Sequence, residues 1–287
     1  MSKISYSQYS MWRDCPHKWK LTYVDKASPF KESINFLFGT AMHEVLQEYI
    51  KVMFSESIAA ADELDLKKML LERMKALYVE SKEHKEFSLY TTKEEMAEFY
   101  GDGCEIIDFF KKHRGDYFSK RGYTLVGVEV PLNVRINDHI NFNGFLDVVI
   151  RDDYSGKIKI FDFKTSARGW MGAAKKNENK ISQLVLYKNY FSQQYNVPVE
   201  NIDVMFLILK RKLFEKSEFP QKRFQKIEPA SGRITIKKVM VGVTEFLKEC
   251  FDEHGNILTK EQPKLPSPKN CQYCEFKTLP KLCDRKK

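Results

Sequence analysis

The chain has 287 residues, 43% of them hydrophobic and 13% aromatic, which is enough apolar material for one large folded unit and excludes a disordered chain. Its formal charge is +9, from 48 Lys and Arg against 39 Asp and Glu, so an anionic partner is expected and nucleic acid comes first. No apolar run reaches the ~18 residues of a membrane span, and MSKISYSQYSMWRD lacks a signal-peptide core, so no membrane partner and a cytoplasmic setting are expected, with the six cysteines as thiols.

Ser5 and Gln8 form a capping box that opens a helix over about 6–24. Tyr6, Tyr9, Trp12, Cys15 and Trp19 share one face of it, and Pro16 predicts a kink or break near Cys15. After a loop through Pro29, an apolar stripe from Met42 to Met53 marks a second helix with His43 at its edge. Two more helices are expected over about 62–80 and 92–112, so residues 55–118 read as a helical lobe inserted before the sheet. From Tyr123 the period becomes that of strands: 123–136, 139–151 and 157–164 form a meander. A polar loop, a helix over about 180–195, a strand at 202–210 and an amphipathic helix from Ile236 to Cys250 complete a mixed α/β plan, a central sheet flanked by helices.

The chemistry is densest in Lys157–Ser166, KIKIFDFKTS. Side chains alternate along a strand, so Asp162 and Lys164 share one face and Phe161 and Phe163 the other. Two charges at the end of an apolar strand cost desolvation energy unless they are used. A divalent cation on Asp162 beside Lys164 is one use, and a structural Asp–Lys pair is the other. Asp147, in GFLDVVI on the preceding strand, can converge with Asp162. Such carboxylates suit Mg²⁺, and a nitrogen from His43 would suit Mn²⁺ better. Gln183 and Tyr187 lie one turn apart on the following helix and could contact phosphate or bases. Glu129 is either a further carboxylate of the site or an exposed strand acid.

Gly39-Thr40-x-x-His43-Glu44, Gly144-x-x-Asp147, Asp162-Phe163-Lys164-Thr165 and Gln183-x-x-x-Tyr187, in this order, resemble the four motifs of the RecB-family nucleases within the PD-(D/E)xK superfamily. The resemblance implies a restriction-endonuclease-like core, with 1–287 as a single nuclease domain. It implies that His43, Asp147, Asp162 and the Phe163 carbonyl hold Mg²⁺ or Mn²⁺, that Lys164 serves the attacking water or the phosphate charge, and that Gln183 and Tyr187 orient a DNA strand. It favours a single-strand DNA exonuclease in recombination, repair or phage DNA processing. An endonuclease or DNA-end trimmer and an inactive DNA-binding subunit are the alternatives. No GxxxxGK[ST] loop is present, so any helicase or recombination protein is a separate partner.

Cys271-Gln-Tyr-Cys274 has a spacing used for zinc and for iron–sulfur clusters; Cys283 follows, and Cys15 is the candidate fourth ligand. Cys15-Pro-x-x-Trp resembles the early cysteine segment of iron–sulfur RecB-family members such as AddB and the CRISPR-adaptation nucleases. That likeness implies a four-iron four-sulfur cluster stapling 1–25 to 260–287. The gap before Cys283 is longer than that pattern has, which leaves Zn²⁺ open, with His17 as a substitute ligand. Cys104 and Cys250 read as core residues. For DNA contacts, Arg168, Trp170, Lys175 and Lys176 flank the site. Arg211, Lys212, Lys216, Lys222, Arg223 and Lys226, interleaved with Phe214, Phe219 and Phe224, form either a backbone-tracking segment or a solvated basic hairpin.

Overall fold

The computed structural model describes residues 1–27, 33–83, 91–118 and 121–284. The loop around Pro29, part of the inserted lobe and the last three residues of the basic end lie outside them. The chain opens with a short strand, β1 (Ser2–Ile4), and helix α1 (Tyr6–Asp14), capped by Ser5 Oγ, which accepts the Gln8 N–H. The expected long helix is broken. Cys15 is extended, and Pro16 starts α2 (Pro16–Trp19) at the first-turn position where its missing N–H costs nothing. A π-type turn, Lys20–Val24, finishes this arm.

Next come α3 (Ile34–Ser55), α4 (Ile58–Glu63), α5 (Leu66–Glu83) and α6 (Lys93–His113). The helix expected over 62–80 is thus two, parted at Leu64 and Asp65; Leu64 is extended at the end of α4. The sheet follows: β2 (Tyr123–Arg135), β3 (Ile140–Asp152) and β4 (Ile158–Ser166). Then come α7 (Glu178–Tyr195), β5 (Ile202–Lys210), β6 (Phe224–Ile227), α8 (Arg233–Cys250) and α9 (Pro268–Cys271). β1 and β6 were not anticipated; at three and four residues they carry almost no periodic signal.

β3 organises the sheet. β2 pairs antiparallel with it along nearly all its length. Its other edge is shared: β1 runs parallel to Ile140–Phe142, and β4 runs antiparallel to Val148–Arg151. Between these two pairings, residues 143–147 meet no strand on that edge, and the sheet opens there. β4 continues the sheet through parallel β5 to antiparallel β6, giving the order β1-β3-β4-β5-β6 with β2 on β3. The mixed sheet flanked by helices is the fold class expected from the sequence.

Alternation along β4 divides the interior. Ile158 and Ile160 join the core under α1, α7 and α8, where Trp12 and Trp19 gather around Phe246. Phe161 and Phe163 join the core under α3, α5 and α6 with Phe38, Phe110 and Phe118. Each fully buried aromatic contributes roughly 2–3 kcal/mol of transfer free energy, so β4 is clamped between two apolar layers. No helix among the described residues is long and apolar enough to cross a membrane.

Candidate active site

The residues singled out in the sequence gather where the sheet opens. One step beyond the last β3–β4 pair, Val148 with Phe161, stand Asp147 and Asp162. The strands part because Asp147 Oδ2 takes the Phe163 N–H at 2.6 Å, a side chain replacing the ladder. Asp162 is 2% exposed. Its Oδ1 accepts from Gln183 Nε2 at 2.9 Å, and the same amide donates to the Tyr187 hydroxyl at 3.2 Å. Lys164 Nζ lies 2.7 Å from Asp162 Oδ2, a buried ion pair whose ammonium is the one charged partner of this oxygen among the described residues. His43 Nδ1 lies 3.6 Å from Asp147 Oδ2, the ring edges onto Phe163, and the imidazole also engages the Phe163 backbone.

Two motif glycines have a steric reason. A Cβ on Gly39 would sit 3.3 Å from Thr165 Oγ1, so glycine lets α3 close on the end of β4 and bring His43, one turn on, to the site. A Cβ on Gly144 would meet the Tyr187 ring at 3.2 Å, so the unpaired edge of β3 is the floor on which Tyr187 rests.

The electrostatics are those of an anionic pocket short of positive charge. Burial pushes the carboxyls of Asp147 and Asp162 up to about 6, with Lys164 opposing in both cases. Burial, then Lys164, lowers His43 to about 4, leaving a neutral imidazole at pH 7. Burial also acts to lower Lys164, but Asp162 and Asp147 outweigh it and keep the ammonium charged. Among the described residues no three His, Cys, Asp or Glu side chains converge closely enough to hold one ion as they stand. The donor set nevertheless fits a hard divalent cation: two carboxylates made costly by burial, a neutral nitrogen and a backbone carbonyl.

The sequence passed over Gln47 and set Glu129 aside. Gln47, buried one turn beyond His43, donates to Glu129 Oε1 at 2.6 Å and to the Asp147 carbonyl at 3.3 Å. Glu129 holds φ +48, a left-handed conformation costing a non-glycine residue about 1–3 kcal/mol, and its charge acts on both His43 and Asp147. Tyr6 was read only as part of a helix face, yet it lines the groove over Lys164 with Gln183 and Tyr187. Only the strained backbone at Glu129 marks it as more than a strand acid, and no sequence pattern carries that.

The loop residues are dispersed. Trp170 is 9% exposed and packs on Phe206, so it offers the groove an edge, with Lys180 over its ring at 4.2 Å. Arg168 lies over Phe214, and Lys175 and Lys176 face solvent. Half of the basic stretch after β5 is paired with α6. Arg211 and Lys212 pair with Asp102 at 2.8 and 2.9 Å, Arg223 pairs with Glu105, and Phe224 is buried in β6. These three cations are held against α6, whereas Lys216 and Lys222 stay exposed and Lys226 pairs with Glu228.

The cysteines meet at the other end of α1. Cys15, Cys271, Cys274 and Cys283 are all free thiols and line one small pocket with His17 and Phe276. The tail is tied to the arm by Asn270 on the Asp14 carbonyl (2.6 Å), Lys18 with Glu275 (2.8 Å) and His17 Nε2 against the Leu282 carbonyl (2.9 Å). Cys250 is buried in the core, and Cys104 is half-buried.

The PD-(D/E)XK nuclease superfamily model matches residues 3–279, nearly the whole chain. The chain belongs to the PD-(D/E)XK nuclease superfamily. Its structure is similar to the crystal structure of a candidate exonuclease from Eubacterium rectale, at 12% identity and TM-score 0.51, over 86% of this chain and 79% of that one. At that identity the likeness is one of fold. The structure of the protein SSO0001 aligns over 95% of this chain and 94% of its own, also at 12% identity, but at TM-score 0.32 it carries no argument. No curated protein matches the sequence. Superfamily nucleases hydrolyse phosphodiester bonds and generally use divalent metals such as Mg²⁺; membership makes the chain a nuclease.

Proposed function

We propose that the chain is an Mg²⁺- or Mn²⁺-dependent nuclease of RecB-family type that degrades single-stranded DNA from an end. The observation that carries the reading is Asp162, a buried carboxylate at the opening of the sheet, with the Lys164 ammonium 2.7 Å from it and a second buried carboxylate, Asp147, beside it. Asp147, Asp162, His43 and the Phe163 carbonyl would hold the cation, which when bound polarises a phosphate oxygen and lowers the pKa of its water.

The remaining work is done by the chain. The Lys164 ammonium stands at the mouth of the groove to meet the negative charge that grows on the scissile phosphate. Gln183 fixes the orientation of Asp162 and ties it to Tyr187. Glu129, held by Gln47, positions the Asp147 segment. The groove over Lys164 is lined by Gln183, Tyr187 and the edge of Trp170, and an unpaired strand is the substrate read from this Gln–Tyr pair.

The four cysteines fit a thiolate-bound cluster. They line one pocket; four iron and four sulfur is the reading the family resemblance favours, with Zn²⁺ the alternative. Such a cluster would staple the tail to the N-terminal arm of the single domain, with 55–118 as its inserted lobe. The test is Mg²⁺ or Mn²⁺ with end-labelled linear and circular single strands. Loss of linear strands with intact circles is expected. Cut circles would make the enzyme an endonuclease, and binding without cleavage would overturn the reading.

A further inference from the structure

The opening of the sheet leaves one large apolar side chain uncovered. β4 parts from β3 at Val148 and β1 reaches only to Phe142, so residues 143–147 have no strand beside them on that edge. Phe145 lies in the middle of this stretch and is 58% exposed, whereas Phe142 and Leu146 are buried in the core. Its cross-strand partner on β2 is Pro131, and among the described residues no aromatic ring or cation packs on it. A single exposed phenylalanine is ordinary on a protein surface. This one stands in the wall of the groove that holds Lys164, Gln183 and Tyr187.

The other rings of that groove are tied down. Trp170 packs on Phe206 and carries Lys180 over its ring. Tyr187 rests on Gly144 and accepts from the Gln183 amide. The Tyr6 hydroxyl donates to the Asn179 carbonyl. Phe145 has no such tie among the described residues. It is two positions from Asp147, about 7 Å along an extended strand, which is the scale of a single nucleotide. An apolar ring in one groove with an ammonium suits a ligand that is planar at one end and anionic at the other, as a nucleotide is.

We propose that Phe145 stacks on the base adjoining the scissile phosphate, so that the nuclease cleaves where an unpaired base is present and stalls where the base is missing. This rests on the nuclease reading above and adds the contact that selects the substrate.

The test gives the full-length chain Mg²⁺ and two end-labelled oligothymidine strands, identical except that one carries a single abasic linker at an inner position. The unmodified chain should cleave the uniform strand steadily and slow about tenfold at the linker, the loss expected from one missing base–aromatic stack. Phe145→Ala should cleave the uniform strand about tenfold more slowly and pass the linker with no further delay. Phe145→Tyr should restore both the rate and the delay. A variant Phe145→Ala that is slower on both strands but keeps the delay would show a merely structural role and overturn the proposal. Unchanged rates on both strands would leave Phe145 to a protein partner and also overturn it, as would a unmodified chain that shows no delay; the nuclease reading survives all three. No cleavage of either strand by the unmodified chain would overturn both. Should Phe145→Ala misfold, photocrosslinking of a halogenated-uridine strand to the unmodified chain decides it. Adducts on the Phe145 peptide are expected, and adducts confined to other peptides would contradict the stack.

Discussion

The carboxylate cleft and the cysteine pocket lie at opposite ends of α1 and are built in opposite ways. In the cleft every group is set by regular structure: Asp147 and Asp162 by strand register, His43 by a 22-residue helix, Gln183 and Tyr187 by α7. β4 lies between two packed cores, so the geometry stands on its own. In the pocket, three of the four thiols belong to a tail whose described regular structure is a four-residue helix and a short 3-10 turn. That tail is held by Phe276 and a few hydrogen bonds. The first region is folded by its core and would bind its cation afterwards. The second would draw much of its order from what the thiols bind.

Replacing charges in the cleft should therefore change chemistry and leave the fold alone. Asp162→Ala or Lys164→Ala should lower the rate of cleavage by about 10³ while strand binding stays measurable. Full activity in either purified variant would remove the assignment. In the pocket the same experiment should read out as stability. Cys271→Ser, or removal of what the thiols hold, should lower the melting temperature by about 10 °C and expose the tail to proteolysis, whereas Asp162→Ala should shift it little. Equal shifts at both sites would erase the contrast.

A third effect concerns pH. Both carboxyls titrate near 6, so below that value protons compete with the cation, and His43, titrating near 4, stays neutral throughout. Mn²⁺ affinity, measured calorimetrically, should rise about tenfold from pH 5.5 to 7.5 and then level off. The metal-free chain has the reverse dependence at these two acids. Their folded pKa values lie above the unfolded ones, so their contribution favours folding at low pH and is lost as pH rises from about 4 through 6. His43 opposes part of it. An Asp147→Asn variant should flatten that slope in thermal melts. The smallest effect is steric: Gly144→Ala pushes on the Tyr187 ring and should slow cleavage severalfold at a stability cost of about 1 kcal/mol.

Much of the cleft was legible because its residues sit on periodic elements. The alternation Phe161-Asp162-Phe163-Lys164 places charge on one face of a strand whatever else the chain does. Cys271 and Cys274 stood out by spacing, whereas Cys15 rested on the family resemblance and Cys283 departed from its pattern. What could not be read was pairing at a distance. β1 and β6 are strands only because β3 and β5 receive them, and the acids of α6 that neutralise Arg211 and Arg223 lie over a hundred positions away along the chain. Glu129 looks like any outward strand acid until its backbone angle and its bond to Gln47 are seen.

The central claim is that Asp147, Asp162 and His43 share one cation beside Lys164. Crystals grown with Mn²⁺ and measured at the manganese absorption edge test it directly. The account requires an anomalous peak bonded to Asp147 and Asp162 at the opening of the sheet. Cleavage-competent crystals with no peak there, or with manganese bound only elsewhere, would contradict it.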